Sequence, residues 1–455
     1  MGSRMVLLLS APSHYRLILM SKIKHPELAA KGRQELAWAE AHMPVLGSIR
    51  AEFRKTQPFK GLKIGIALHL EKKTGILLRT LRDGGAIVYG ASCNPNTTDD
   101  ATVAALAEES PGKLEVFAWA GQTTDEYYWC IDQVLDGHPN IVIDDGCDLV
   151  MRLHEKRPQQ LKEIIGGCEE TTTGIVRLKA MHKDGALKLP VYAVNNAHSK
   201  YLLDNQFGTA QSAIEAIMRA TNVILAGKVA VVYGYGWCGR GAASRLKGLG
   251  AQVGVVEVEG TLGPHESGQN RALCALYEGY RVMNHAEAAK VGDIFLTVTG
   301  NKNVIRREHF ELMKDGAILC NAGHFNVEID EPALRKMSSK VEEVKDNITA
   351  YHMKDAKTGK PKTLYLLSEG RLVNLARPSG QGHPCEIMDG SFAIQALCCE
   401  LLAKSRGKKM APGVMDVPKE VDDSTAARIL KSQGVVLDRP TKEQIAYAEE
   451  WKEGT

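Results

Sequence analysis

Residues 228–257 read KVAVVYGYGWCGRGAASRLKGLGAQVGVVE, and no other stretch limits the possible folds as tightly. An apolar strand at 229–233 runs into Gly234-Tyr235-Gly236-Trp237-Cys238-Gly239. A helix with small apolar residues is expected at 242–249, and a second apolar strand at 253–258. That strand carries Glu257, about twenty residues past the glycines, as the dinucleotide-binding βαβ fingerprint requires. Gly234 permits the tight turn, Gly236 lets the backbone approach a pyrophosphate at the helix N-terminus, and Gly239 allows close helix–strand packing. Glu257 would accept hydrogen bonds from an adenosine ribose, which favours NAD because a 2′-phosphate would be repelled. The bland alternative is a glycine-rich turn that binds nothing.

The same alternation of strand and helix extends in both directions. Upstream, strands are expected at 62–68, 86–89, 114–119, 140–143 and 190–194. A helix at 27–43 should stop at Pro44, and a long helix at 210–226 leads into the glycine loop. Downstream, strands are expected at 293–298 and 317–320, a β-ribbon at 364–367 and 372–375, and a helix at 388–402. The stretch after Pro412 reads as a linker followed by two helices. Strands alternating with helices imply parallel sheets, which bind ligands at the carboxyl ends of their strands. Polar clusters sit at such ends: His69, the Asp144–Asp148 segment, Glu169 to Thr173, Asn195-Asn196, Thr299 to Asn301 and Asn321 to His324.

Composition narrows the partners. A chain of 455 residues with net charge +3 and interspersed signs gives no reason to expect nucleic acid or an anionic membrane. The 10 cysteines form no C-x-x-C pair, so no zinc site or redox motif is expected, and a reducing, cytoplasmic setting is. The apolar run at 6–9 is too short for a signal segment, so residues 1–20 are expected to be a dispensable leader.

The strings ASCNPNTTDD, IDDGCDL, EETTTG, SKYLLDNQFGT, VYGYGWCGRG, TVTGNKNVI, GHFNVEID, EGRLVNLA and GHPCEIMD occur in order along the chain. Together they resemble the S-adenosyl-L-homocysteine hydrolases, most closely their shorter archaeal-type form, over about 27–451. The resemblance implies two Rossmann-like, doubly wound α/β domains. A substrate domain would use 21–205 and 375–405, an inserted NAD domain 206–374, and a helical tail 406–455. It implies a tightly held NAD that is used and regenerated in each turnover. The substrate 3′-hydroxyl is oxidised, the C4′ proton becomes acidic, the thiol leaves from C5′, water adds, and the ketone is reduced back. By resemblance, Lys200 and Asp204 handle the 3′-hydroxyl, with Asn205 beside the lysine and nicotinamide. Asp145 lies near C4′ and C5′, Glu170 binds the ribose, and His69 and His324 handle the leaving thiol and the attacking water. Thr171, Thr172, Thr173, Asn301, Asn321 and Asn374 contact the cofactor, and His383 closes over the base and homocysteine. No metal is implied. A homotetramer is.

The sequence departs from the family at the adenine edge. Where the pattern is His-x-Thr-x-Glu/Gln-Thr, the chain has His69-Leu70-Glu71-Lys72-Lys73-Thr74. An acid or amide oxygen suits the 6-amino group of adenine, whereas a lysine, with donors only, suits a 6-oxo group. Glu71 would then accept from a protonated N1, which makes S-inosyl-L-homocysteine the alternative substrate. Against this, Glu71 and Lys73 could pair with each other or face solvent. Insertions at 260–270 and 375–382 border the cofactor and the base, and Asn196 stands for an expected aspartate. The Lys- and Tyr-containing tail of longer members is not seen, so weaker NAD retention is expected. Two other classes compete. A plain NAD-dependent 2-hydroxyacid dehydrogenase lacks a convincing arginine here, and an NAD-responsive regulator would not need the full set of polar residues.

Overall fold

The computed structural model describes residues 20–261 and 266–451. All of the expected leader except Met20, and residues 262–265 of the first insertion, lie outside them.

The first sheet contains β1 (Lys63–Ala67), β2 (Ile87–Ala91), β3 (Leu114–Phe117), β4 (Ile141–Asp144), β5 (Gly166–Glu169) and β6 (Pro190–Ala193). The second contains β7 (Val229–Tyr233), β8 (Gln252–Val256), β9 (Arg281–Met283), β10 (Ile294–Thr297), β11 (Ile318–Asn321), β12 (Lys340–Lys345), β13 (Ile348–Lys354) and β14 (Pro361–Leu367). A last strand, β15 (Gly413–Asp416), returns to the first sheet and pairs in parallel with β6. The first sheet is parallel throughout, in the order β15-β6-β5-β4-β1-β2-β3. Its strands are apolar on both faces, as a sheet covered by helices must be. Ile64, Ile66 and Val88 pack under the helices Lys72–Asp83 and Cys385–Lys404, while Tyr89, Val142 and Val191 belong to the core on the other face, which Thr124–Asp136 and Asp148–Lys156 also enter. In the second sheet Ala230 and Val232 serve one core and Val231 and Tyr233 the other.

Four expectations need correction. The second sheet, ordered β12-β13-β14-β11-β10-β7-β8-β9, is parallel only as far as β14; β12 and β13 add an antiparallel edge. Residues 372–375 form no ribbon with 364–367: β14 pairs with β13 and β11, and Leu372 makes a single bridge to Asn321. The first helix, Ala29–Ala41, does end before Pro44 as expected, but Pro44 also opens a second, unexpected helix, Pro44–Thr56, in whose first turn its missing N–H costs nothing. The expected linker after Pro412 is β15, followed by Lys419–Ser432 and Lys442–Glu449. No helix among the described residues is long and apolar enough to cross a membrane.

Strand order reverses beside β1 and β4 in the first sheet and beside β7 and β10 in the second. Open α/β sheets offer their ligand crevice at such switch points. His69 and Asp145 follow β1 and β4, and Gly234 and Thr299 follow β7 and β10.

Candidate active site

A cavity of about 1280 Å³ runs across the carboxyl ends of β7 and β10. Gly234 holds a positive φ of 97°, which suits glycine. A Cβ on Gly239 would stand 1.9 Å from the Gly234 carbonyl oxygen, whereas one on Gly236 would meet nothing within 4 Å. The first glycine thus turns the chain, the third lets the helix Trp237–Gly248 pack, and the second faces open space at that helix's N-terminus. Glu257 lines the cavity, accepts from the Tyr235 amide and is gripped by Arg271 at 2.8 and 3.1 Å. This cradle fits NAD. Thr171, Thr172, Thr173 and Asn301 line the same cavity. Asn321 and Asn374 do not. Asn321 spends its amide on the carbonyls of Gly323, Phe325 and Gly370, which shapes the loop presenting His324. Asn374 donates to Ser212 at 3.2 Å, and its buried Oδ1 has no partner.

Lys200 is 3% exposed and does not itself line that cavity, although its neighbours Asn195, Tyr201 and Asn205 do. Its three N–H bonds go to Asn195 Oδ1 (3.2 Å), Asp204 Oδ1 (2.9 Å) and Asn205 Oδ1 (3.1 Å), with Glu170 Oε1 3.5 Å away. Burial pulls the Lys200 ammonium down, but Asp204 and Glu170 outweigh it and the net shift is upward. Asp204 is held well below the usual carboxylate range: Lys200 and His383 overcome the burial that opposes ionisation. Burial moves Glu170 the other way, against the pull of Lys200. Residues Asp204–Gly208 form a π-helical turn, a widened geometry often found at functional sites. It lets Asp204 and Asn205 both reach Lys200. His383 sits on this group as well, with Nδ1 3.1 Å from Asp204 Oδ2.

A second cluster stands at the β1/β4 crevice. His69 Nε2 lies 3.4 Å from Asp145 Oδ2, and His324 Nδ1 lies 3.6 Å from Asp145 Oδ1. His324 also lines the cofactor cavity, so the two halves of the site meet there. Burial lowers the His69 pKa to about 4, against the attraction of Asp145.

Glu71 and Lys73 open the helix Lys72–Asp83 and are 4% and 2% exposed. Lys73 Nζ is 2.7 Å from Glu71 Oε2 and donates to the Gln381 carbonyl at 3.0 Å. The two residues do pair with each other, but they do not face solvent. Glu71 stands at the N-cap position without capping, and its buried Oε2 has no aligned donor. Thr74 turns its hydroxyl onto the His69 carbonyl at 2.6 Å.

Comparison with known proteins gives these clusters a family. Residues 20–163 match the model of S-adenosyl-L-homocysteine hydrolase, and residues 205–380 match its NAD binding domain. The chain belongs to the S-adenosyl-L-homocysteine hydrolase family. Among its relatives are the S-inosyl-L-homocysteine hydrolases of Methanopyrus kandleri (51% identical, covering 95% of this chain and 98% of that one) and Methanocaldococcus jannaschii (50%, covering 96% and 100%). The adenosylhomocysteinase of Saccharolobus solfataricus is equally similar, at 51% over 95% of this chain and 99% of its own. As a member of this hydrolase family the chain is an NAD-binding enzyme that cleaves a nucleoside thioether, and the dehydrogenase and regulator readings fall away.

Within this hydrolase fold several supporting residues had no assigned place in the sequence reading. Asn195, noted only as a polar strand end, ties Lys200 to Thr172. Gln395, from the helix Cys385–Lys404, donates to Glu170 Oε2 at 2.6 Å. Asp144 accepts from the amides of Asp145 and Val150, and Glu169 from those of Gly146 and Thr171. Two buried acids thus hold the loops that carry Asp145 and Glu170, and burial pushes both of their pKa values up. The only sequence signal for them was the doubling of acids at 144–145 and 169–170.

Proposed function

We propose that the chain hydrolyses S-inosyl-L-homocysteine, a 6-oxopurine nucleoside thioether, in preference to the adenosyl compound. The observation that carries this reading is the burial of Glu71 and Lys73 at a helix start. A cation in the first turn opposes the helix dipole, and a buried ion pair is weak support for stability. Lys73 donates to Gln381 and stands as an ion pair with Glu71, leaving donor capacity for a 6-oxo group. Glu71 Oε2 keeps acceptor capacity for N1–H. Relatives named S-inosyl-L-homocysteine hydrolase support the same reading. The adenosyl substrate is the second reading. It is favoured by the self-pairing of Glu71 with Lys73, which would leave adenine to backbone groups, and by the equally similar adenosylhomocysteinase.

In the proposed mechanism bound NAD supplies reversible oxidation of the substrate 3′-hydroxyl. Lys200 holds the 3′-oxygen and moves its proton, while Asp204 and Glu170 balance its charge. Asn205 fixes the lysine against the cofactor cavity through its contact with Cys238. Asp145 faces the acidified C4′ position, and His69 and His324 flank it to carry protons for the departing thiol and the incoming water. His383 fastens the closing loop to Asp204 over the base. Titration of the NAD-loaded protein with inosine and adenosine tests the base reading. Inosine should bind about tenfold tighter or more, and Glu71→Thr with Lys73→Glu should reverse the order. Equal binding by both nucleosides, unchanged by the double substitution, would contradict it.

A further inference from the structure

Tyr233 and His285 line the cofactor cavity, and each holds a buried polar atom, the phenol hydroxyl and Nδ1, with no hydrogen-bond partner among the described residues. We propose that these two side chains read the edge of the cofactor's adenine and set the preference of the chain for an adenine dinucleotide. The Tyr233 hydroxyl donates to N1, and His285 Nδ1 accepts from the 6-amino group. Position is the first support. The pyrophosphate belongs at the glycine turn and the adenosine ribose at Glu257, just after β8, so the base lies beyond Glu257. β8 runs between β7 and β9. Tyr233 ends β7, and His285 follows closely on β9. Val256, Val258, Val298 and Val304 line the same cavity and offer apolar walls to a flat base.

Chemistry is the second support. Adenine carries a donor at its 6-amino group beside an acceptor at N1. A phenol can donate and a neutral imidazole can accept, so the pair complements that edge. The surroundings keep His285 neutral: burial and the Arg306 charge push its pKa down, against the pull of Glu308. Its ring stacks on His309, with centroids 4.9 Å apart and planes 16° from parallel. His309 is itself neutral, since burial lowers its pKa to about 4 and its Nδ1 accepts from the Arg306 amide at 3.1 Å. The stack fixes the plane of His285. The Tyr233 ring, fully buried, stands 5.4 Å from His285 on centroids. A buried phenol normally finds a hydrogen-bond partner, and the adenine edge supplies one to each side chain.

The test equilibrates NAD-loaded protein with an excess of NAD and nicotinamide hypoxanthine dinucleotide in equal amounts. The protein is then desalted, and its bound dinucleotides are quantified by mass spectrometry. The analogue has an oxygen in place of the 6-amino group and a proton on N1, so it loses both contacts. The unaltered chain should retain NAD over the analogue by at least about ten to one. Tyr233→Phe, which keeps the ring in its core, and His285→Met should each lower that ratio at least about threefold. His285→Gln, whose amide oxygen can accept in place of Nδ1, should keep most of it. Equal retention of the two dinucleotides by the unaltered chain would overturn the proposal. So would a ratio unchanged in Tyr233→Phe and His285→Met, the result a merely structural role gives. Should both variants fail to fold, the unaltered chain and His285→Gln decide: a ratio near one in either rejects the reading.

Discussion

At the scale of single residues, the site is a set of buried charges whose partners determine what each can do. Lys200 is an ammonium at rest because two carboxylates outweigh its burial. Replacing it with Met removes the proposed proton carrier without touching the glycine loop. Turnover should fall by about 10²–10⁴-fold or more, while NAD co-purifies as before. Rapid-quench thiol release and a cofactor assay check the two halves of that statement. The proposed catalytic residues were legible because their types stand at strand ends in a recognisable order. Their partners were not. Gln381 lies 308 residues from the Lys73 it meets, and Gln395 lies 225 from Glu170, so only the folded chain brings them together.

At the scale of elements, buried acids brace ends and loops. Asp389, on the helix Cys385–Lys404, accepts from the amides of Val45 and Leu46 at 2.8 and 2.7 Å. It acts as a remote cap for Pro44–Thr56, whose own N-cap residue, Met43, makes no side-chain bond. Asp389→Ala should therefore cost about 1–3 kcal/mol, read as an earlier midpoint in urea. Glu328 holds the loop after β10, accepting from Thr299 and Gly300. Burial raises its pKa from 4.5 to about 7. The folded state therefore binds this proton more tightly than the unfolded one, so its stabilising contribution is complete below about pH 4.5 and is lost as pH rises through about 7. Glu328→Gln removes that dependence. Its melting temperature relative to the unaltered chain should climb between pH 5 and 8, and a parallel pair of melting curves would contradict this. The same scale shows why some elements were misread. Pro44 does follow a helix end, but it is also preorganised for the first turn of the next helix, which the sequence reading passed over. The four-residue β15 is too short to show a period, and Leu372 is apolar because it is buried beside Asn321, not because it extends a ribbon.

At the scale of the whole molecule, residues from both sheets line the cofactor cavity: the Thr171–Thr173 segment after β5, and His324 after β11, which also stands 3.6 Å from Asp145 after β4. The glycine loop and strand alternation made this architecture readable, since both rest on local periodicity. The return of β15 to the first sheet rests on long-range pairing, which no local pattern reports. If the cofactor cavity and the nucleoside crevice form one site, Gly236→Val, which fills open space at the cradle, should abolish NAD binding and turnover together while the chain stays folded by circular dichroism.

The central claim, hydrolysis of a 6-oxopurine thioether by an internally recycled NAD, is tested most directly by thiol release from the NAD-loaded protein. S-inosyl- and S-adenosyl-L-homocysteine are offered side by side. The account predicts a kcat/KM at least about tenfold higher for the inosyl compound, about 1.4 kcal/mol of discrimination, with no net NADH formed. Faster release from the adenosyl compound would contradict it and make Glu71 and Lys73 a self-contained pair in an adenosine-specific enzyme.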